Sequence, residues 1–450
     1  MPPERLDEHR TLATRHSVPQ RAWLGFVLIA AILWHILAIL APPQQAPKAG
    51  SEGRDYASYH YAAHAAQAGD NPWDLDRIEA AAREEGTRTW LHPYLYPAPF
   101  LLLVWPFAQL SLGNAFLAWG LFQELALVAA ALALAWGWRG VHGAVGVVFV
   151  ALAALMYGVA YGVELGQANV LVLALVLSGT TVSPEAPRWG GAALGIACML
   201  KMSPALVVLW WLWRGEWVAA RWAIGTGLLV CGLTLPLVGL EHQFAFFTEV
   251  LPRFGSGDYN GLSIKIEMFG NHSLASVWHT VTLSKETGDR TLLSPLSRAL
   301  SAASMLTLFM VMAVAFRDAP AEPAVRAGQL STVFIAMILV PVYTYEHHLI
   351  FALPAMALCL VAIAERQLPR WTAVPLGVAI ALLCYPLPDV KAFADGVVTT
   401  AWPIAYAFVR ESKTLALLAI GSATLWIGRG QSSTIRPEAP AGTTLADTQA

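Results

Sequence analysis

The chain has 450 residues, of which 56% are hydrophobic and only 13% charged, with a mean hydropathy of +0.53. Soluble domains carry about 25% charged residues, and no soluble fold could keep this much apolar surface out of water, so the composition excludes a soluble enzyme and points to an all-α polytopic membrane protein. A net charge of −2 excludes a nucleic-acid partner, which would need a basic face.

A hydrocarbon core about 30 Å thick takes about 20 apolar helical residues, and only helices satisfy their own backbone there. Residues 1–22, with Arg5, Arg10, Arg15 and Arg21, read as a cytoplasmic tail, and the first apolar run, near 23–40, as an uncleaved helix. Further runs lie near 95–111, 114–138, 143–162, 167–181, 190–213, 222–240, 296–316, 328–345, 349–364, 371–386 and 413–428, giving a bundle of about twelve helices over 23–430. Arg214 and Arg221, Arg317 and Arg326, Arg366 and Arg370, and Arg429 and Arg436 then share the cytoplasmic side. Segments 41–94 and 241–295 become outer loops, and the Ser-, Thr- and Pro-containing residues 431–450 a disordered cytoplasmic tail. Cys198, Cys231, Cys359 and Cys384 all fall inside apolar runs, which excludes a disulfide framework.

In the first outer loop Tyr56, Tyr59, His60, Ala63, His64 and Gln67 recur at helical spacing in a stretch closed by Gly69. A second helix starts at an N-cap Asp74 and ends at Gly86. Both are expected to lie flat on the membrane as amphipathic elements. The chain re-enters the bilayer through His92-Pro93-Tyr94-Leu95-Tyr96-Pro97-Ala98-Pro99.

Further along, Lys201 interrupts an apolar run. An ammonium in hydrocarbon needs a partner, and a lipid phosphate, Glu164 or a carbonyl freed by Pro204 would serve. Asn271 follows a Gly-rich polar loop and suits either a lid over an outer cavity or the cap of a following helix. His347 and His348 close a span at the same face, where an imidazole could donate to a phosphate or simply bond backbone. Gln167 and Asn169 read first as glue between helices. Asp74-Leu75-Asp76 has a metal-type spacing but opens a helix, and no zinc or P-loop pattern occurs, so no metal and no cofactor are expected.

Taken in order, Arg54-Asp55-Tyr56, Gly69-Asp70-Asn71-Pro72-Trp73, Tyr94-Leu95-Tyr96-Pro97, Gly166-Gln167-Ala168-Asn169, Leu200-Lys201-Met202-Ser203-Pro204, Asn271-His272-Ser273-Leu274 and Glu346-His347-His348 form a series. From about Trp23 to about Glu365 it resembles the polyprenol-phosphate-mannose-dependent mannosyltransferases of glycosyltransferase family 87, built on the GT-C membrane fold. Met202-Ser203-Pro204 in place of an aromatic-Pro ending, and a short second outer loop, depart from that pattern and bear on the donor sugar and acceptor. The resemblance implies transfer of a sugar, mannose, from a polyprenyl phosphate to a hydroxyl of a glycolipid or glycan. It further implies a bacterial inner-membrane protein, surrounded by membrane lipids, with its site facing outward.

A lipid phosphate leaves readily once cations match its charge, so one carboxylate acting as base suffices for an inverting displacement, whereas retention would want two close together. By resemblance that base is Asp55, although an Asp before a helix also reads as its cap. Arg54, Tyr56, Gln167, Lys201, Asn271, His347 and His348 are the implied substrate contacts. A transporter or lipid flippase is the competing reading, but it would favour two related halves and polar residues near the midplane. Here the polar residues gather at one face.

Overall fold

The structure, a computed structural model, describes residues 53–86, 91–138, 144–282, 290–317, 322–398 and 403–430. The expected tails 1–22 and 431–450 and the run near 23–40 lie outside these. The described residues are helical apart from loops and one short hairpin, β1 (Asp258–Tyr259) paired antiparallel with β2 (Leu262–Ser263).

The chain opens with α1 (Arg54–Gln67), which does not lie on a surface as expected. All of Tyr56–Ala63, with Ala65 and Ala66, is buried. Its alanines let neighbours approach closely, and the tyrosine stripe faces protein instead of lipid headgroups. By contrast, α2 (Leu75–Glu84) is amphipathic, burying Ile78 and Ala82. It begins at Asp74, whose carboxylate accepts from the Asp76 amide at 3.0 Å.

There follow α3 (Pro99–Val104), α4 (Leu112–Gly137), α5 (Val145–Leu155), α6 (Tyr157–Leu165), α7 (Asn169–Val182), α8 (Pro187–Leu200), α9 (Ala205–Trp213) and α10 (Trp217–Leu233). Beyond the hairpin come α11 (Leu274–Thr282), α12 (Pro295–Ala315), α13 (Pro323–Leu339), a tight helical turn Glu346–Ala352 running into α14 (Leu353–Ala364), α15 (Ala373–Cys384), α16 (Leu387–Phe393), α17 (Pro403–Arg410) and α18 (Ser412–Gly428).

Four described stretches, Leu112–Gly137, Trp217–Val238, Pro295–Ala315 and Glu346–Ala364, are long and apolar enough to cross a membrane. They number six if α5 with α6, bent by 64°, and Arg370–Cys384 with Leu387–Gly396, bent by 105°, each count as one; α7, α13 and α18 are shorter apolar helices. The twelve sequence runs do not map onto twelve long helices, because several break. Run 190–213 parts between α8 and α9 at Lys201, just ahead of Pro204, whose ring cannot continue a helical ladder. The four cysteines are free thiols.

Small residues set the closest packing. A Cβ placed on Gly195 of α8 would fall 2.4 Å from the Ala223 carbonyl of α10, and one on Gly191 would fall 2.3 Å from that of Ala219. Such small-residue seams let membrane helices meet backbone to backbone. The helices differ sharply in cover: 78% of the apolar stretch Glu346–Ala364 is buried by the rest of the chain, against 11% of α12.

One end of the bundle is tied by Arg326, which donates to both Glu216 oxygens at 2.7 and 2.9 Å and to Ser183 Oγ at 3.1 Å. Beside it Arg214 reaches the Phe316 carbonyl at 3.4 Å, and Gln329 reaches that of Gly428 at 3.2 Å. From there α8, α13 and α18 each run to the other end, where Lys201, residues 340–347 and Lys413 lie.

Candidate active site

Asp55 sits in the first turn of α1 but caps nothing; the N-cap position is Gly53, in the left-handed region at φ 57°. The Gly53 amide donates to the Glu164 carbonyl at 3.0 Å, fixing the start of α1 against the end of α6. The carboxylate is therefore free to turn toward other elements. His92 Nδ1–H donates to its Oδ1 at 2.8 Å, and Gln167 Nε2 donates to its Oδ2 at 2.5 Å.

Each donor is itself held. Ser58 Oγ, on α1, donates to the His92 carbonyl at 2.6 Å. Gln167 follows Gly166, whose φ of +75° suits glycine and whose absent Cβ would lie 2.5 Å from that of Tyr56. Trp119 Nε1 donates to the Gly166 carbonyl at 2.9 Å. On its other side Gln167 Oε1 accepts from the Tyr96 hydroxyl at 2.9 Å, and Tyr96 in turn accepts from Tyr59 at 3.0 Å. Tyr59 lies four residues after Asp55, so one face of α1 carries both.

Burial alone would raise the Asp55 carboxyl, but the hydrogen bonds from His92 and Gln167 and the charge field of His92 carry it below the ordinary carboxylate range. It is an ionised acceptor at neutral pH, and each oxygen keeps a second lone pair.

Lys201 occupies the extended break between α8 and α9 (φ −154°, ψ 137°). The sequence offered Glu164 as its protein partner; instead its ammonium donates to Asn169 Oδ1 at 2.6 Å. Asn169 Nδ2 bonds the His347 carbonyl at 2.8 Å. The ammonium also lies 5.9 Å from the Tyr96 ring centroid and within the field of Asp55. A neutral amide orients Lys201 without cancelling its charge, so the cation remains available to an anion. Gln167 and Asn169, expected to hydrogen-bond between helices, do so: they are the two amides that hold the carboxylate on α1 and the ammonium after α8.

The histidine pair divides. His347 is buried, with its ring 4.2 Å from that of His348 and its Nδ1 without a hydrogen-bond partner, while His348 Nδ1 accepts from the Tyr345 amide at 3.1 Å and closes the local turn. A Cβ on Gly158 would fall 2.4 Å from the Glu346 carbonyl, so α6 backs directly onto this turn. Below it, Glu346 joins His272 Nε2 at 2.8 Å and Lys413 Nζ at 2.7 Å, all three side chains being 1% exposed or less.

Other expected contacts fall elsewhere. Asn271 neither caps a helix nor presents a free amide: its Nδ2 donates to the carbonyls of Ile266 (2.9 Å) and Val342 (3.1 Å), and its Oδ1 accepts from the amides of Ser273 (3.3 Å) and Thr344 (3.0 Å). Ser273 Oγ caps α11. Tyr56 is fully buried against Phe116 and Trp119, in the aromatic core behind the site rather than in it. Arg54 begins α1, half-buried. The loop cations Arg253 and Arg290 pair with Asp258 and Glu267.

His92 and the Tyr59–Tyr96 pair are the members that sequence reasoning missed. His92 reads there as part of a proline-rich entry into the membrane. Apart from the site, His60, His64 and Glu85 bring metal-type donor atoms together.

Glycosyltransferase family 87 is the family whose model matches this chain, over residues 94–341. That is more than half of its length and includes Tyr96, Gln167, Asn169, Lys201 and Asn271, with Asp55 ahead of the matched stretch and His347 behind it. No curated protein matches the chain.

Proposed function

The chain belongs to glycosyltransferase family 87, and from that membership we propose that it transfers mannose from a polyprenyl phosphate to an acceptor hydroxyl at the extracytoplasmic face of a bacterial inner membrane, on a GT-C scaffold. The observation that carries this reading is the Asp55 carboxylate, held by His92 and Gln167 within the field of an uncancelled Lys201 ammonium.

Asp55 takes the proton of the acceptor hydroxyl, a glycolipid's or a glycan's, as its oxygen attacks the anomeric carbon in line. The bond from that carbon to the phosphate oxygen breaks, and the lipid phosphate leaves with one more negative charge than it brought. Lys201 matches that charge, and His347, through its open Nδ1, supplies a further contact. Asn169 positions the ammonium; His92 and Gln167 fix the carboxylate and keep it ionised. The other buried acid beside His347, Glu346, is tied to His272 and Lys413. With one carboxylate at work, inversion of the anomeric centre follows.

Two features support a lipid donor and an outward site. A cavity of about 370 Å³ lined by apolar residues, among them Leu171, Leu175, Met199 and Leu200, the residue before Lys201 in the chain, suits a prenyl tail. Arg214 and Arg326 gather at the opposite end of the bundle, the arrangement expected of a cytoplasmic side.

The test is incubation of the purified chain in lipid with radiolabelled polyprenyl-phosphate mannose and an acceptor glycolipid. Product is expected from the native chain, with inverted configuration, and not from Asp55→Asn. Equal product from both chains would refute the assignment.

A further inference from the structure

His60 and His64 lie one helical turn apart on α1, so their rings share a face, with centroids 4.8 Å apart. Glu85, the C-cap residue just after α2, comes to the same place. Its Oε1 lies 3.3 Å from His64 Nε2 and its Oε2 3.9 Å from His60 Nε2. His60 is 0% exposed, and neither of its ring nitrogens has a hydrogen-bond partner; His64 Nε2 is likewise buried and not aligned to bond Glu85. Buried polar atoms in folded proteins are almost always satisfied, and the Nε2 atoms of His60 and His64, both without a hydrogen-bond partner beside the Glu85 carboxylate, leave two lone pairs that a cation would accept.

We propose that His60, His64 and Glu85 hold one divalent transition-metal ion, zinc by the character of its donors, which clasps α1 to the end of α2. Zinc takes imidazole nitrogen and carboxylate oxygen at about 2.0–2.2 Å, which sets neighbouring donors roughly 3.5 Å apart in a tetrahedral arrangement. The two separations in the structure straddle that value. The Tyr61 hydroxyl donates to Glu85 Oε2 at 3.3 Å, the kind of outer hydrogen bond that orients a ligating carboxylate. His64 and Glu85 retain 29% and 35% side-chain exposure, which gives the ion a route in and leaves a fourth position to water.

The ion stands apart from the reacting atoms. His60 follows Asp55 by five residues, about 140° around the helix, so Asp55 and Tyr59 face the site while His60 and His64 face α2. The clasp acts on the helix that carries the carboxylate, not on the sugar.

The full chain, purified in detergent with a tag that contains no histidine, is stripped with chelator, desalted and titrated with zinc or cobalt alone. One zinc per chain retained through gel filtration, and a visible cobalt absorption displaced by zinc, are expected. His64→Ala and Glu85→Gln, whose side chains are partly exposed, should weaken binding by roughly tenfold to a hundredfold or more; zinc should raise the unfolding temperature of the native chain and not of Glu85→Gln. His60→Ala opens a buried cavity, so the two exposed ligands carry the test. A native chain that keeps no zinc and gives no cobalt spectrum, variants that bind as the native chain does, or binding without any rise in unfolding temperature would overturn the clasp.

Discussion

Replacing Gln167 by Leu leaves an apolar side chain of broadly similar size and removes one of the two hydrogen bonds to Asp55, together with the acceptor of the Tyr96 hydroxyl. A hydrogen bond to a charged group contributes about 1.5–3 kcal/mol, and about 1.4 kcal/mol corresponds to a tenfold change in a proton equilibrium. Asp55 lies below the ordinary carboxylate range because burial, which raises it, is outweighed by its donors. Losing a donor therefore moves it up. The base is competent only when ionised, so the acid limb of the pH–rate profile should move toward neutrality by about one to two pH units, while the rate near pH 8 changes little. The assay is kcat/KM for transfer from radiolabelled polyprenyl-phosphate mannose at closely spaced pH values, native chain beside variant. An acid limb that stays in place, with only the plateau lowered, would show that Gln167 does not set the state of the base, and the reasoning would fail.

Asp55→Asn should cut turnover by about a hundredfold to ten-thousandfold, with donor binding retained in a filter-binding measurement. Lys201→Met should lower kcat/KM for the lipid donor by roughly tenfold to a hundredfold, the equivalent of one charge-assisted contact, as read from initial rates over a donor series. Gly195→Val drives a side chain into the Ala223 carbonyl and should destabilise the fold by about 1–3 kcal/mol in detergent unfolding, whereas Gly225→Ala, with open space around it, should not. Glu346→Gln leaves Lys413 charged and buried and should cost about 3–5 kcal/mol; adding Lys413→Met should recover part of that loss.

Local rules read correctly where the deciding atoms are close in the chain. Asp74 caps α2 because its own side chain reaches an amide two residues on, and Gly69 and Gly86 take φ of +83° and +67° where the helices were expected to close. Reading failed where distant segments decide. The Tyr and His stripe of α1 has the period of a surface helix, but four alanines on the remaining faces permit burial that period alone does not reveal. Gln167 and Asn169 were legible as contacts between elements but their partners were not, because Asp55 and Lys201 stand 112 and 32 residues away. Asn271 was legible as a special residue but not as a clamp, since its bonds go to the 342–344 strand of chain. Span counting suffered most, because hydropathy sums straight through the breaks at Lys201 and Met156 where the helices part.

The bareness of α12 has a consequence of its own. Among the described residues few cover its outer face, and in a bilayer that face would meet acyl chains that flow into any contour, so the shape of a side chain there would matter little and its transfer free energy greatly. The enclosed stretch Glu346–Ala364 answers to the opposite rule, where one misplaced methyl is felt. Two helices of similar greasiness are thus selected by different physics, one by the bilayer as a solvent and the other by the jigsaw of its neighbours.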